Sequence, residues 1–179
     1  MASTMRIGIL GGAFDPVHVG HVAMVDYVRQ TGAVDQVRVI PCYRHAFAKP
    51  MAPYHHRLAM LRAAFAEGAG VMISEIEREL GGVSYTARTL RTLMEQQPGG
   101  HFRLLIGADL LSEVRTWHEG AWLAQHGDWL VIPRGPAGPI PDVSSTQIRD
   151  AVRAGTSLDA LVPATVAEYI AQHHLYGHQ

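Results

Sequence analysis

The sequence predicts an α/β fold with a mostly parallel sheet and helices on both faces. Short apolar runs alternate with stretches of helical periodicity along the chain. Glycine, proline and hydroxyl residues punctuate the junctions, and no repeat or low-complexity tract intervenes. A βα order repeated in this way closes most simply as parallel strands joined by right-handed helical crossovers.

The elements follow in order. Residues 5–10 (Met-Arg-Ile-Gly-Ile-Leu) read as a buried first strand, and residues 21–30 carry helix periodicity. Residues 36–40 form a second strand. The helix expected over 53–65 opens on Pro53 and places Leu58, Leu61 and Phe65 on one face. Residues 71–74 are a short strand, and Ser84 is positioned to cap a helix running to residue 95, with Tyr85, Leu90 and Leu93 inward. Residues 102–106 are the clearest central strand, followed by helical segments over 110–114 and 120–125 and a strand over 129–132. Residues 134–141 are rich in glycine and proline and read as a solvent-facing connection. Helices over 146–153 and 163–173 finish the chain.

At 179 residues the chain is the size of one domain, with the helices after about residue 146 contributing part of the site argued below. A formal net charge of −1 gives no global field for nucleic acid or an anionic membrane. Neither a signal peptide nor a membrane span is expected. One cysteine, Cys42, excludes an internal disulfide and suits a reducing, cytoplasmic setting. Three of the 11 histidines, His173, His174 and His178, lie in the tail and read as incidental or as weak metal ligands.

Ligands of parallel sheets collect beyond the carboxyl ends of the strands. Four junctions fall there: residues 11–21, 41–49, 107–109 and 133–134. In the first, Gly11-Gly12-Ala13-Phe14-Asp15-Pro16-Val17-His18-Val19-Gly20-His21 links the first strand to the first helix. Glycines let a phosphate approach backbone N–H groups, and the helix start adds donors and a positive dipole end. His18 and His21 there can donate to phosphate oxygens as charge grows on them. Asp15 either ties the loop or faces a metal or the substrate. The patterns Gly-Lys-Ser/Thr and Gly-x-Gly-x-x-Gly are both absent, so a nucleotide is held differently from either.

A second signal is Ser144-Ser145-Thr146-Gln147-Ile148-Arg149. Its hydroxyls cap a helix by default, and with an arginine they also suit a polyphosphate. Arg44, His45 and Lys49 follow the second strand, either as a solvated face or as phosphate contacts. Arg57 reads as a structural residue paired with an acidic neighbour. Trp117 and His118 are either half-core residues or a stacking patch for a planar ring. No Ser/His/Asp or Cys/His nucleophile arrangement competes with these.

The glycine–histidine loop together with Ser-Ser-Thr-Gln-Ile-Arg resembles the motif pair of the HxGH nucleotidylyltransferase superfamily. Three further stretches narrow the likeness to the bacterial nicotinate-nucleotide adenylyltransferases: Ser84-Tyr85-Thr86-Ala87, Ile106-Gly107-Ala108-Asp109-Leu110 with Thr116-Trp117-His118, and the final segment from Leu161 to Tyr176. The resemblance implies a Rossmann-like nucleotidylyltransferase fold and adenylyl transfer from ATP, with Mg²⁺, to nicotinate mononucleotide. It assigns catalysis to His18, His21, Lys49 and Arg149. It assigns ATP binding to Gly11, Gly12, Phe14, His18, His21, Gly107, Arg134, Ser144, Ser145, Thr146 and Arg149. Asp15, Arg44, Lys49, Tyr85, Thr86, Asp109 and Trp117 would contact the mononucleotide. No resident metal site is implied, and the family allows a homo-oligomer.

Two stretches depart from the family. Residues 44–49 (Arg-His-Ala-Phe-Ala-Lys) replace its usual Pro-Pro-His-Lys or Pro-Pro-His-Arg. Only nine residues separate Arg134 from Ser144, a shorter connection than the family commonly has. Both bear on the acceptor, so nicotinamide mononucleotide or another phosphomonoester, such as phosphopantetheine or a sugar phosphate, remains an alternative. A non-catalytic nucleotide-binding protein is the other.

Overall fold

The computed structural model describes residues 4–65, 68, 70–133 and 138–177. Strands β1 (Arg6–Gly12), β2 (Gln36–Pro41), β3 (Val71–Ile73), β4 (His101–Gly107) and β5 (Asp128–Ile132) form one sheet in the order β3-β2-β1-β4-β5. Every neighbouring pair is parallel. The strand order reverses between β1 and β4, the position where a doubly wound sheet opens a crevice for ligands. This is the parallel, two-faced α/β sheet that the alternating pattern predicts and the Rossmann-like architecture that the family resemblance implies.

Helices α1 (Val19–Gln30), α2 (Tyr54–Ala64), α3 (Ile76–Leu80), α4 (Thr86–Gln96), α5 (Gly120–His126), α6 (Ser145–Ala154) and α7 (Ala164–Gln172) cover both faces. A two-residue strand period sorts the core into two layers. Ile7 and Ile9 of β1 join Phe102, Leu104 and Ile106 of β4 beneath Leu90 and Leu93 of α4 and Leu123 of α5. Leu10, Val37, Val39 and Leu105 point the other way, against Met24 and Val28 of α1, Leu61 of α2, Ile148 of α6 and Val166 of α7. Gly8 faces this second layer, where a Cβ would stand 3.3 Å from Val34 and 3.4 Å from Leu105. The side chains that fill that gap come from its neighbours.

The structure differs from the sequence-based expectation in five places. Helix α1 begins at Val19 rather than 21, because His18 is its N-cap. Helix α3 goes unpredicted: its five residues bury only Ile76, too short a stretch to show a period. Residues Leu111–Thr116 form a 3₁₀ turn rather than an α-helix. Tyr85, not Ser84, takes the N-cap position of α4 and makes no side-chain cap bond, while the Ser84 hydroxyl accepts the N–H groups of Tyr43 (2.9 Å) and Arg44 (3.4 Å). The connection expected to face solvent also turns inward at its end, where Ile140 is buried in the core.

Candidate active site

The glycine–histidine loop leaves β1 at the centre of the sheet's carboxyl edge and enters α1. A Cβ on Gly12 would meet the Phe14 ring at 3.2 Å. Phe14 itself lies in the left-handed region (φ 48°), and its fully buried ring meets His21 edge-on at 4.8 Å. Its side chain therefore supports His21 from beneath the loop. His18 is 3% exposed and stacks on His21, with ring centroids 3.7 Å apart. The His18 backbone N–H donates to His21 Nδ1 at 3.2 Å. An accepting Nδ1 puts the proton of neutral His21 on Nε2, making that nitrogen the donor. A side chain on the glycine between the histidines would crowd the site. A Cβ on Gly20 would stand 3.0 Å from the His18 ring and 3.3 Å from the Pro141 carbonyl.

Helix α6 closes on this loop from the far end of the chain. Ser144 caps it by accepting the Gln147 N–H at 3.2 Å. Ser145 Oγ donates to the Pro16 carbonyl at 2.9 Å. Arg149 donates to the Asp15 carbonyl at 2.7 Å and to Thr146 Oγ1 at 3.1 Å. The two sequence motifs are thus in direct contact, and Arg149 is hydrogen-bonded to two neutral oxygens with the Asp15 carboxylate 4.0 Å away. Asp15 acts as a tie: its Oδ1 accepts the Ala52 N–H (3.0 Å) and the Tyr176 hydroxyl (2.9 Å), and the residue is buried. Burial and the adjacent Asp15 charge push the Tyr176 phenol well up, so it stays a donor.

An adjoining cavity of about 370 Å³ opens beyond β1, β2 and β4. Gly11, Gly12, Phe47, Tyr85, Thr86 and Trp117 are among its walls. Tyr85 stacks on His118 at 3.9 Å, and Trp117 meets Trp129 edge-on at 6.2 Å. Helix α4 begins at this wall with no side-chain cap and no acidic residue in its first turn. Its first N–H groups and dipole therefore favour an anion there.

Glu77 also reaches this cavity, with Oε1 accepting the Thr89 hydroxyl at 2.9 Å. Burial raises its pKa, opposed by hydrogen bonds from Ser84, Thr89 and the Tyr43 backbone. A carboxyl whose folded pKa is raised stabilises the fold fully below its unfolded pKa, and loses that contribution as pH rises through the folded value. Glu77→Gln should therefore flatten the decline in stability above the ordinary carboxylate range, as read from denaturant midpoints between about pH 4 and 8. Parallel curves for both proteins would show that Glu77 titrates normally.

The rebuilt loop after β2 serves two cavities. His45, Ala46 and Phe47 line the one just described. Lys49 lines a second, of about 710 Å³, with Arg149 and Asp15. Arg44 does neither: it is exposed, its guanidinium 5.7 Å from the Tyr43 ring centre. Gly107 is buried at the end of β4, and Asp109 stands exposed just beyond it. Arg134 lies outside the described residues.

Arg57 corrects an expectation. It has no acidic hydrogen-bonding partner among the described residues; fully buried, it donates to the carbonyls of Ala52 (3.0 Å), Ala13 (2.8 Å) and Cys42 (2.8 Å). One guanidinium thereby joins the loops after β1 and β2 to the segment before α2. Arg57, Tyr176 and Glu77 escape the sequence reading as site-building residues, because carbonyl and tail partners leave no spacing signature.

Among the described residues no helix is long and apolar enough to cross a membrane. No group of three His, Cys, Asp or Glu side chains among them could hold a metal ion.

A histidine loop and a hydroxyl-rich helix start, meeting at the switch point of a parallel sheet, define the nucleotidyltransferase class of α/β proteins. The family model described as cytidylyltransferase-like matches residues 9–151. A Myxococcus xanthus relative, named "Probable nicotinate-nucleotide adenylyltransferase", is 36% identical over 99% of this chain and 97% of its own length. One of the same name from Bordetella pertussis is 38% identical over 96% of this chain and 98% of its own. The chain belongs to the nicotinate-nucleotide adenylyltransferase family of the HxGH superfamily. The fold is shared with the nicotinic acid mononucleotide adenylyltransferase of Plasmodium falciparum, solved in complex with NaAD. That match has a TM-score of 0.83 at 21% identity, over 96% of this chain and 97% of the other.

Proposed function

We propose that this protein transfers the adenylyl group of ATP to nicotinate mononucleotide, releasing pyrophosphate and deamido-NAD. The observation that carries the reading is the contact between the two motifs, Ser145 on the Pro16 carbonyl and Arg149 on the Asp15 carbonyl. It brings the stacked histidines and the start of α6 to one place, as a clamp for a polyphosphate requires. The uncapped start of α4, beside Tyr85 and Trp117, supports a planar acceptor that carries a carboxylate.

In this reading a 5′-phosphate oxygen of the mononucleotide attacks the α-phosphorus of ATP. The new P–O bond forms as the bond to the β-phosphate bridge breaks, and its electron pair leaves on pyrophosphate. The attacking phosphate has a second pKa of about 6, so no base has to deprotonate it near neutrality. Catalysis is then positioning and charge stabilisation. His18 and His21 donate to the oxygens where charge develops, while Ser145, Thr146, Arg149 and Lys49 hold the phosphates. Tyr85, Thr86 and Trp117 frame the ring, while Asp109 and Gly107, just beyond and at the end of β4 and in neither cavity wall, would meet the substrates and the adenosine only in the bound complex. Mg²⁺ enters as the counter-ion of ATP, so chelation should abolish turnover and excess Mg²⁺ restore it.

Pyrophosphate release from Mg²⁺-ATP, with nicotinate mononucleotide, nicotinamide mononucleotide and 4′-phosphopantetheine offered separately, tests the assignment. Turnover should be most efficient with the first. Silence with both pyridine nucleotides would overturn it. Trp117→Ala should raise the KM for the acceptor about tenfold, the scale of one lost stacking contact, with the KM for ATP unchanged.

A further inference from the structure

After α7 the chain turns back and delivers one hydroxyl to the glycine–histidine loop. The turn is closed by the Leu175 N–H on the Ile170 carbonyl at 3.1 Å. His174 (φ 50°) and Tyr176 (φ 64°) both lie in the left-handed region, which a side chain disfavours. Neither is glycine, so the contacts made beyond the turn must hold it in place. Leu175 and Tyr176 pack against the core layer that α1, α2, α6 and α7 share. The Tyr176 hydroxyl then donates to Asp15 Oδ1 at 2.9 Å, and Asp15, Arg149 and Tyr176 all face the second cavity.

Asp15 is pulled in two directions. On one side its Oδ1 accepts the Ala52 N–H at 3.0 Å as well as the Tyr176 hydroxyl. On the other, Arg149 Nη1 holds the Asp15 carbonyl oxygen at 2.7 Å and stands 4.0 Å from Asp15 Oδ2. At that distance the guanidinium makes no hydrogen bond to the carboxylate. The Asp15 and Arg149 side chains are only 7% and 16% exposed, so a charge pair between them would be poorly screened by water. Arg57 fixes Ala52 from the far side, through its carbonyl at 3.0 Å. The Ala52 N–H is therefore a pivot, and Tyr176 is the second donor that sets how the carboxylate lies about it.

We propose that Tyr176 is a positioning residue, which keeps Arg149 open to ATP by holding the Asp15 carboxylate off it. The inference rests on the transfer reaction proposed above, in which Arg149 holds phosphates. With two donors on Oδ1 the carboxylate is turned from α6, and the remaining guanidinium N–H groups stay available to the nucleotide. Without the hydroxyl, Ala52 alone holds Oδ1. A buried carboxylate stripped of one donor gains most by finding another, and the nearest is Arg149. ATP would then have to displace a buried ion pair before it could bind. A phenol suits this task because it donates without adding a charge beside Arg149.

Tyr176→Phe removes the hydroxyl and keeps the ring. The KM for ATP should rise about tenfold, the scale of one hydrogen bond to a charged group. The kcat and the KM for the mononucleotide should stay within about twofold of the parent. Asp15→Asn in the same chain separates positioning from support of the fold. Its amide still accepts the Ala52 N–H but carries no charge to capture Arg149. Tyr176→Phe/Asp15→Asn should therefore return the KM for ATP to within about threefold of the parent. An unchanged KM for ATP in folded Tyr176→Phe would overturn the inference. So would a KM that the second substitution leaves raised or raises further, the pattern of a structural tie losing two contacts. Urea midpoints establish that each variant is folded. Calorimetric titration of Mg²⁺-ATP with no acceptor present should show the same loss and rescue in Kd. It needs no turnover, so it decides the role of Tyr176 whichever acceptor is used. A parent that binds no ATP would overturn the transfer reaction, and this role with it.

Discussion

His18→Ala should lower kcat by about 10²–10³-fold, the effect of removing one preorganised donor from a developing phosphate charge. The KM for ATP should change far less, because the Arg149 side of the clamp is untouched. His18 is buried at the N-cap of α1 and stacks on His21, so its loss also leaves the partner ring less constrained. The stability cost should still be below about 2 kcal/mol, since the helix starts from its backbone and from the apolar face behind it. Steady-state kinetics beside a thermal melt separate the two effects. A folded variant with near-parental kcat would show that the loop is not the catalytic element. Gly20→Ala should act through the same ring: its Cβ would press on His18 at 3.0 Å and displace it from its stack.

Arg57→Ala should destabilise the fold by about 3–5 kcal/mol, among the largest effects of any single substitution here. Three carbonyls, on Ala13, Cys42 and Ala52, lose their donor together, and a fully buried side chain leaves a cavity. Arg57→Lys retains the charge but replaces a planar fork with a single ammonium group, so it should recover only part of the loss. The carbonyls belong to the glycine–histidine loop and to the loop after β2. The lysine variant should therefore raise the KM for both substrates even where it remains folded. Urea denaturation of the alanine variant checks the energetic claim, and a midpoint equal to the parent's would refute it.

Much of this is legible along the chain because it depends on neighbours in sequence. Strand β4 shows itself through Phe102, Leu104 and Ile106 on one face, and α6 through the Ser144 cap and the apolar Ile148 behind it. The short α3 does not, and Ser84 misleads. A hydroxyl before a helix caps it by default, but here a loop 40 residues earlier competes for the same oxygen. Asp15 shows how a charged residue in a phosphate loop can be tied from far along the chain. Its partners are Ala52, 37 residues away, and Tyr176, 161 residues away.

By itself the sequence determined the α/β alternation, the parallel sheet, the phosphate loop and the second motif at the start of α6. Those rest on local periodicity, capping and backbone freedom, which act within a few residues. Tertiary structure alone decided that Arg149 holds the Asp15 carbonyl, that Arg57 ties the loop after β1 to both ends of the loop after β2, and that residues 44–49 divide between two cavities. A buried donor must find an acceptor wherever the packed chain supplies one, and that choice has no fixed separation in sequence.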